Sequence, residues 1–141
     1  MASGLKQIPV QFILQGPILF RMFNEMVLAH FRNPHNAGDL PDATATVEVT
    51  NPVCGDILRL SARIEGGRVA LARFRAQGCV ASIASSSILT DLLAGKSLEE
   101  VRIVKAQDIS EALGGLPPAT LHAAQLCVDA VSALLRALEQ G

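Results

Sequence analysis

The chain has 141 residues, enough for one domain with a hydrophobic core, and half of them are apolar although only five are aromatic. Its formal net charge of −1 argues against the basic surface of a nucleic-acid-binding protein and against a polybasic membrane patch. No apolar run approaches the roughly 20 residues of a membrane span, and three cysteines are too few for a disulfide framework, so we expect a cytoplasmic protein with reduced thiols.

The first 21 residues differ from the rest of the chain. Two glycines and two prolines interrupt their apolar residues, and no periodicity is sustained. Lys6 is the only basic residue among the first twenty and no small-residue cleavage site follows, which argues against a secretory signal. We expect residues 1–21 to be a leader, native or added for expression, and residues 22–141 to form the domain.

A helix is predicted at the start of this domain. Apolar residues recur at helical spacing over about residues 21–31. Pro34 and Gly38 then end the helical pattern. His30 and His35 lie near this break, and we interpret them as surface or capping histidines.

The apolar period then changes to two and predicts three strands. Alternation of apolar and polar side chains runs over residues 44–50, 58–64 and 70–76. The second and third strands are separated by Gly66 and Gly67, which suit the positive φ angles of a tight hairpin turn. Three consecutive strands predict an antiparallel meander with one face exposed to water.

The rest of the chain is predicted to be helical. We expect a helix over residues 80–93, a short helix capped by Ser97, another capped by Asp108, and a last helix opened by Pro117 and Pro118. The predicted core-facing positions of the last helix are Leu121, Ala124, Val128, Val131, Leu135 and Leu138. The predicted fold class is therefore α+β, with a three-stranded antiparallel sheet packed against several helices.

Two short segments carry thiols that could serve a site. Cys54 and Asp56 flank Gly55 at the bend between the first two strands, where both side chains could face one metal ion, although an ordinary turn reads the same way. Cys79 follows Gly78 at the start of a predicted helix, where the helix dipole favours a thiolate. A buried structural thiol is the alternative for Cys79.

His122 completes a possible ligand set. It follows the double proline, which fixes the start of the last helix, although a lone helical histidine is commonly a surface or core residue. Cys54, Cys79, His122 and Asp56 together would offer two sulfurs, one nitrogen and one oxygen, a set that suits zinc or an iron–sulfur cluster. No local spacing of the C-x-x-C kind marks the set as a site.

Five motifs occur in a familiar order over most of the domain. They are His30-Phe31-Arg32-Asn33-Pro34-His35-Asn36-Ala37-Gly38, Cys54-Gly55-Asp56, Gly78-Cys79 with Ile83-Ala84-Ser85-Ser86-Ser87, Gly95-Lys96-Ser97-Leu98-Glu99-Glu100, and Leu116-Pro117-Pro118 with His122. In this order the chain resembles the IscU/NifU-type iron–sulfur cluster assembly scaffolds. The resemblance implies a site at one end of the fold that holds a transient [2Fe–2S] cluster or a zinc ion. It also implies a cysteine desulfurase and iron–sulfur acceptor proteins as partners.

The resemblance implies roles for individual residues. Cys54 and Cys79 match two of the three cluster cysteines of the family, Asp56 matches an aspartate associated with cluster lability, and His122 matches the histidine of the site. The third cysteine of the family, a ligand and sulfur acceptor, corresponds to Ala123 here. The segment that relatives use for chaperone recognition also differs after the double proline, so a chaperone partner is not expected.

Cys127 is a poor replacement for the missing thiol. It lies one helical turn, about 6 Å, beyond Ala123 and points away from the start of the helix. We interpret Cys127 as a buried structural thiol and predict that Asp56 fills the vacant ligand position.

Three functions are compatible with these residues. The first is a scaffold or carrier of a [2Fe–2S] cluster, which we favour. The second is a divergent zinc-binding protein or interaction module. The third is an enzyme with Cys54 or Cys79 as nucleophile and His122 as base, which ranks last because no oxyanion hole or substrate pocket is evident. We therefore predict a protein that is not an enzyme.

Overall fold

The computed structural model describes residues 22–140, and the predicted leader, residues 1–21, lies outside them. The elements, in chain order, are α1 (Glu25–Arg32), β1 (Ala45–Thr50), β2 (Ile57–Glu65), β3 (Arg68–Gln77), α2 (Val80–Leu93), α3 (Leu98–Arg102), α4 (Ala106–Ala112), a 3-10 turn (Pro118–Thr120) and α5 (Leu121–Gln140). The predicted α+β class is confirmed.

The three strands form one antiparallel sheet in the order β1-β2-β3. Val47 pairs with Leu60, and Leu60 pairs with Phe74, so these three side chains share one face. Side chains of β1 alternate between half-buried and exposed, as the period of two predicted. Gly66 and Gly67 have φ angles of 61° and 75°, which the tight turn between β2 and β3 requires. The predicted meander is therefore confirmed.

The helices cover the apolar face of this sheet. α5 packs against β1 and β2, and α2 packs against β3 and also contacts α1 and α5. The middle of α2 consists of small side chains, which allow neighbouring elements to approach closely. Its buried small residues are Ala81, Ser82, Ala84, Ser85, Ser86 and Ser87. The fold therefore places the start of α2 beside the start of α5 and the bend between β1 and β2.

The buried face of α5 is displaced from the predicted one. Leu121 is 46% exposed although it was expected in the core. The buried positions are Ala123, Ala124, Leu126, Cys127, Ala130, Val131, Leu134 and Leu135. Small residues, mostly alanines, make up much of this buried face. The prediction relied mainly on large apolar side chains, and it therefore placed the buried face at the wrong angle around the helix axis.

The prediction of Asp108 as a helix cap is also wrong in detail. α4 begins at Ala106, so Asp108 lies inside its first turn. The Asp108 carboxylate accepts a hydrogen bond from the backbone N–H of the N-cap residue Lys105 at 2.9 Å. One of the N–H groups at the helix start is thereby paired by a residue inside the helix. The predicted capping box of α3 is confirmed, because Ser97 and Glu100 exchange side-chain-to-backbone hydrogen bonds of 3.2 and 2.8 Å.

His30 is not the surface or capping residue that was expected. It is 7% exposed, and its Nδ1 lies 2.7 Å from the Ser87 hydroxyl oxygen of α2. Burial lowers the pKa of the His30 imidazole, and nearby His35 lowers it further, while Asp91 opposes both effects. His35 is exposed as expected, and its Nδ1 lies 2.6 Å from the Asp91 Oδ2.

One helical segment has the length and hydropathy of a membrane span. It comprises the 23 residues Pro118–Gln140, within which an 18-residue window has a mean hydropathy of 1.3. Most of this segment is α5, which packs against both β1 and β2 and contributes eight buried residues to the core. We interpret α5 as the central core helix of the fold, because a helix enclosed on one face by a sheet satisfies the same test of length and composition.

Candidate metal centre

The bend between β1 and β2 presents Cys54 outward and Asp56 inward. The Asn51 N–H donates to the Asp56 carbonyl and the Gly55 N–H donates to the Asn51 carbonyl, both at 2.8 Å. The Asn51 side chain accepts from the Val53 N–H at 2.9 Å, which closes the bend further. Gly55 has a φ of 77°, a conformation that favours glycine. Cys54 is exposed, whereas Asp56 is only 7% exposed.

The start of α2 supplies the second thiol. Cys79 is the N-cap residue of α2, and its side chain makes no capping hydrogen bond. Its Sγ lies 3.8 Å from Asp56 Oδ2 and 3.4 Å from Ser82 Oγ. Unpaired N–H groups and the dipole at a helix N-terminus favour negative charge there. The sulfur therefore lies at the start of α2 with the Asp56 carboxylate beside it.

Ser82 is a site residue that the sequence analysis missed. Its hydroxyl donates a short hydrogen bond to Asp56 Oδ2, although Ser82 itself is 2% exposed. The available signal was its position, three residues after Cys79, because the N-cap and third residues of a helix lie on the same end of the first turn. A serine within a run of small residues does not by itself indicate this contact.

Gly78 is required for the close approach of Asp56. A Cβ atom at Gly78 would lie 2.7 Å from the Asp56 Cγ and 2.8 Å from its Oδ1. Real Cβ contacts are not this short, so any other residue at this position would displace the carboxylate. The glycine before Cys79 therefore makes room for Asp56.

His122 reaches the same carboxylate from the first turn of α5. Its Nε2 lies 3.9 Å from Asp56 Oδ2, and its side chain is 37% exposed. Ligand atoms of Cys54, Asp56 and His122 all lie within 4.8 Å of one another. Cys79 stands outside this closest group of three but contacts Asp56. The four predicted residues thus meet around one carboxylate.

The charge balance around Asp56 is incomplete. A buried carboxylate is costly unless hydrogen bonds and a positive charge compensate it. Among the ion pairs of residues 22–140, Asp56 has His122 as its partner, and no lysine or arginine pairs with it. A cation bound between the carboxylate and the two thiols would supply the missing charge. The donor set therefore fits a metal or a metal cluster.

No third sulfur joins this group, either from the position of the family's third cysteine or from Cys127. Ala123 follows His122 directly and is fully buried. Cys127 is 1% exposed, and its sulfur lies 3.9 Å from the Ser86 hydroxyl rather than beside Asp56. Burial raises the pKa of the Cys127 thiol to about 12. Cys127 is therefore a buried thiol, as predicted.

Comparison with known proteins gives the family. The model of the NifU-like N-terminal domain matches residues 22–140. The chain belongs to this family. The chain is 38% identical over 110 residues to the iron–sulfur cluster assembly scaffold protein IscU 1 of Archaeoglobus fulgidus, covering 78% of this chain and 72% of that one. It is also 38% identical over 117 residues to the scaffold protein IscU of Escherichia coli K12, covering 80% of this chain and 91% of that one.

A solved structure supports the fold of this NifU-like domain. The N-terminal part of a NifU-like protein from Brucella abortus superposes with a TM-score of 0.70 over 88% of this chain and 99% of that chain. Its sequence identity is 20%, so this likeness concerns the fold alone. The predicted resemblance to the IscU/NifU scaffolds is confirmed.

Proposed function

We propose that this NifU-like protein is a scaffold or carrier on which an iron–sulfur cluster of the [2Fe–2S] type is assembled and then released. Relatives of this length and about 38% identity are named as cluster assembly scaffolds. The cluster is cargo in this role, and the protein binds and transfers it without acting as an enzyme. Three free thiols suit a reducing compartment such as the cytoplasm.

One observation carries the proposal. Two thiols, an imidazole and a carboxylate from three separate parts of the chain meet around Asp56, and three of their ligand atoms lie within 4.8 Å of one another. Thiolate and imidazole are established ligands of iron–sulfur clusters. The proposed ligands are Cys54, Cys79, His122 and Asp56.

Asp56 takes the ligand position that a third thiol would occupy. Its oxygen is already within 4 Å of the Cys79 sulfur and of the His122 Nε2. A carboxylate is a harder and weaker ligand for iron–sulfur clusters than a thiolate. We therefore expect a cluster that is held less tightly than one on three cysteines, as suits a cargo that is handed on.

The exposed thiol gives partners access to this centre. Cys54 lies at the tip of the bend next to Val53, which is 93% exposed. A cysteine desulfurase carries sulfur as a persulfide, and attack of the Cys54 thiolate on its outer sulfur would leave the persulfide on Cys54 and a thiol on the desulfurase. The same exposed edge would allow an acceptor protein to take the finished cluster.

Anaerobic reconstitution tests the proposal. Metal-free protein incubated with ferric iron and sulfide should become brown and hold about two irons and two sulfides per chain, as a [2Fe–2S] cluster requires. Cys54→Ser and Cys79→Ser should each abolish the visible absorption, whereas Cys127→Ser should retain it. A colourless protein that retains one zinc at the cysteine site would contradict the proposal and favour the zinc-binding alternative.

Variants of Asp56 test its role as a ligand. With one ligand removed, Asp56→Ala should lose its cluster to a chelator at least several times faster than the unaltered protein. Asp39→Ala is the matched control, because Asp39 is an exposed aspartate that pairs with Arg75. Slower loss of the cluster from Asp56→Ala would show instead that the carboxylate promotes cluster release. That result would refute the role of Asp56 as a ligand but not the scaffold function.

A further inference from the structure

A second group of potential ligands lies away from the cysteines. It joins His30 near the end of α1, His35 in the following turn and Asp91 in the last turn of α2. One nitrogen of each imidazole and one oxygen of Asp91 lie within 4.8 Å of one another. The two ring centroids are 4.4 Å apart with planes inclined by 49°. Asp91 is nine residues, about 13 Å along α2, from Ser82 of the first centre.

Neighbouring groups form hydrogen bonds with each of these three residues. The Ser87 hydroxyl oxygen lies 2.7 Å from the His30 Nδ1 and accepts the His35 backbone N–H at 2.7 Å. The Asn36 amide donates to Asp91 Oδ1 at 3.2 Å, which leaves Oδ2 for the His35 ring. In protein metal sites, hydrogen bonds from neighbouring groups to the ligating side chains fix the orientation of those side chains.

We propose that His30, His35 and Asp91 form a binding site for a divalent transition-metal ion of the zinc class. Two imidazole nitrogens and a carboxylate oxygen are the donors that zinc accepts, and three protein ligands leave a fourth position for water. The group contains no thiol, so it differs in chemistry from the centre around Asp56. This inference does not rest on the proposed scaffold function.

Entry of the ion requires only a small rearrangement. Ligands of a tetrahedral zinc ion lie about 3.4 Å apart, so His35 Nδ1 and Asp91 Oδ2, which are 2.6 Å apart, must separate by roughly 1 Å. All three ligand atoms already lie within 4.8 Å of one another. The side chains of His35 and Asp91 are 53% and 36% exposed, so both can move and the ion can arrive from solvent. The ion would take the place of the hydrogen between His35 Nδ1 and Asp91 Oδ2, and the neutral imidazole would carry its hydrogen on Nε2 instead.

Bound metal would have two consequences. It would link the turn after α1 to helix α2. Because the ion would bind the folded state and not the unfolded one, it would also raise the free energy of unfolding. It would also add zinc to the protein independently of the cysteines, so a count of zinc per chain would not by itself describe the first centre.

A zinc titration of a variant lacking the first centre tests the inference. The background is Cys54→Ser with Cys79→Ser and His122→Ala, and calorimetry with zinc chloride should still give one ion per chain. Adding His35→Ala or Asp91→Asn should weaken this binding at least tenfold. Asp129→Asn, at an exposed aspartate of α5, should leave it unchanged.

Two further measurements keep the outcome decisive. Circular dichroism should show the same helix content in every variant, because His35 and Asp91 are exposed. Cobalt(II) in the background variant should bind without the intense near-ultraviolet absorption that thiolate ligands produce. Absence of zinc binding in this background, or equal binding after His35→Ala and Asp91→Asn, would overturn the inference. Failure of cluster reconstitution would leave it untouched.

Discussion

Asp56 sets the chemistry of the candidate centre at the scale of single residues. Its carboxylate is nearly buried, accepts the Ser82 hydroxyl and lies within 4 Å of Cys79 and His122. Gly78 has no side chain, which leaves the space that the Asp56 carboxylate occupies. The identity of one glycine thus depends on the position of one aspartate.

Substitution of Gly78 should test this dependence. Gly78→Ala places a Cβ atom 2.7 Å from the Asp56 Cγ, so we expect it to destabilise the protein by about 1–3 kcal/mol, as overpacking does. In the Asp56→Ala background the same substitution should cost less than half as much, because the clashing group is gone. Urea unfolding of the four proteins of this cycle measures both values, and equal costs in the two backgrounds would contradict the contact.

Helix caps link the elements to one another. The Asn24 side-chain oxygen accepts the Val27 N–H at 2.9 Å and so begins α1. Its amide also donates to the Leu113 and Gly115 carbonyls, at 3.0 and 3.2 Å, in the segment after α4. Ser97 caps α3 with local hydrogen bonds of the capping box alone. One cap therefore has a tertiary role that the other lacks.

The two caps should differ in their contribution to stability. Ser97→Ala should lower the free energy of unfolding by about 1 kcal/mol, the usual value for an N-cap. Asn24→Ala should lower it by about 2–3 kcal/mol, since two further hydrogen bonds are lost and their carbonyls are left without this partner. Chemical denaturation of both variants provides the comparison, and equal losses would show that the contacts of the Asn24 amide contribute nothing.

The molecule as a whole brings three distant segments to one end of the sheet. The bend before β2, the start of α2 and the start of α5 each contribute to the candidate centre. The same packing excludes Cys127 from it and encloses that thiol in the core, where its pKa is raised to about 12. A core thiol of this kind couples the stability of the whole fold to alkaline pH.

Alkaline conditions should reveal this coupling. Cys127 has a folded pKa of about 12 against an ordinary value of 9.0, so the neutral thiol stabilises the fold fully below pH 9. Above pH 9 the unfolded chain loses its proton first, and stability falls until the pH reaches the folded pKa. Relative to Cys127→Ala, the free energy of unfolding should fall with a slope that approaches about 1.4 kcal/mol per pH unit between pH 10 and 11. If the free energies of unfolding of the two proteins fell in parallel above pH 9, Cys127 would not be the cause of the alkaline loss of stability.

The sequence by itself determined the elements and the family. Period-two alternation located the three strands because the pleat of a sheet is a local property, and Gly66 and Gly67 located their turn. Cys54, Asp56, Cys79 and His122 could be selected from the order of motifs. Their common contact around Asp56 could not be derived from spacing, because Asp56 and His122 are 66 positions apart in the sequence, as 122 − 56 gives.

Only the tertiary structure decided which side chains meet. Ser82 joined the centre and Leu121 left the core, because burial depends on what packs against each helix face and not on the helix alone. His30 changed from a predicted surface residue to a buried partner of Ser87, which is 57 residues away. Local physics fixes the period of an element, whereas long-range packing fixes which atoms lie within reach of a shared ion.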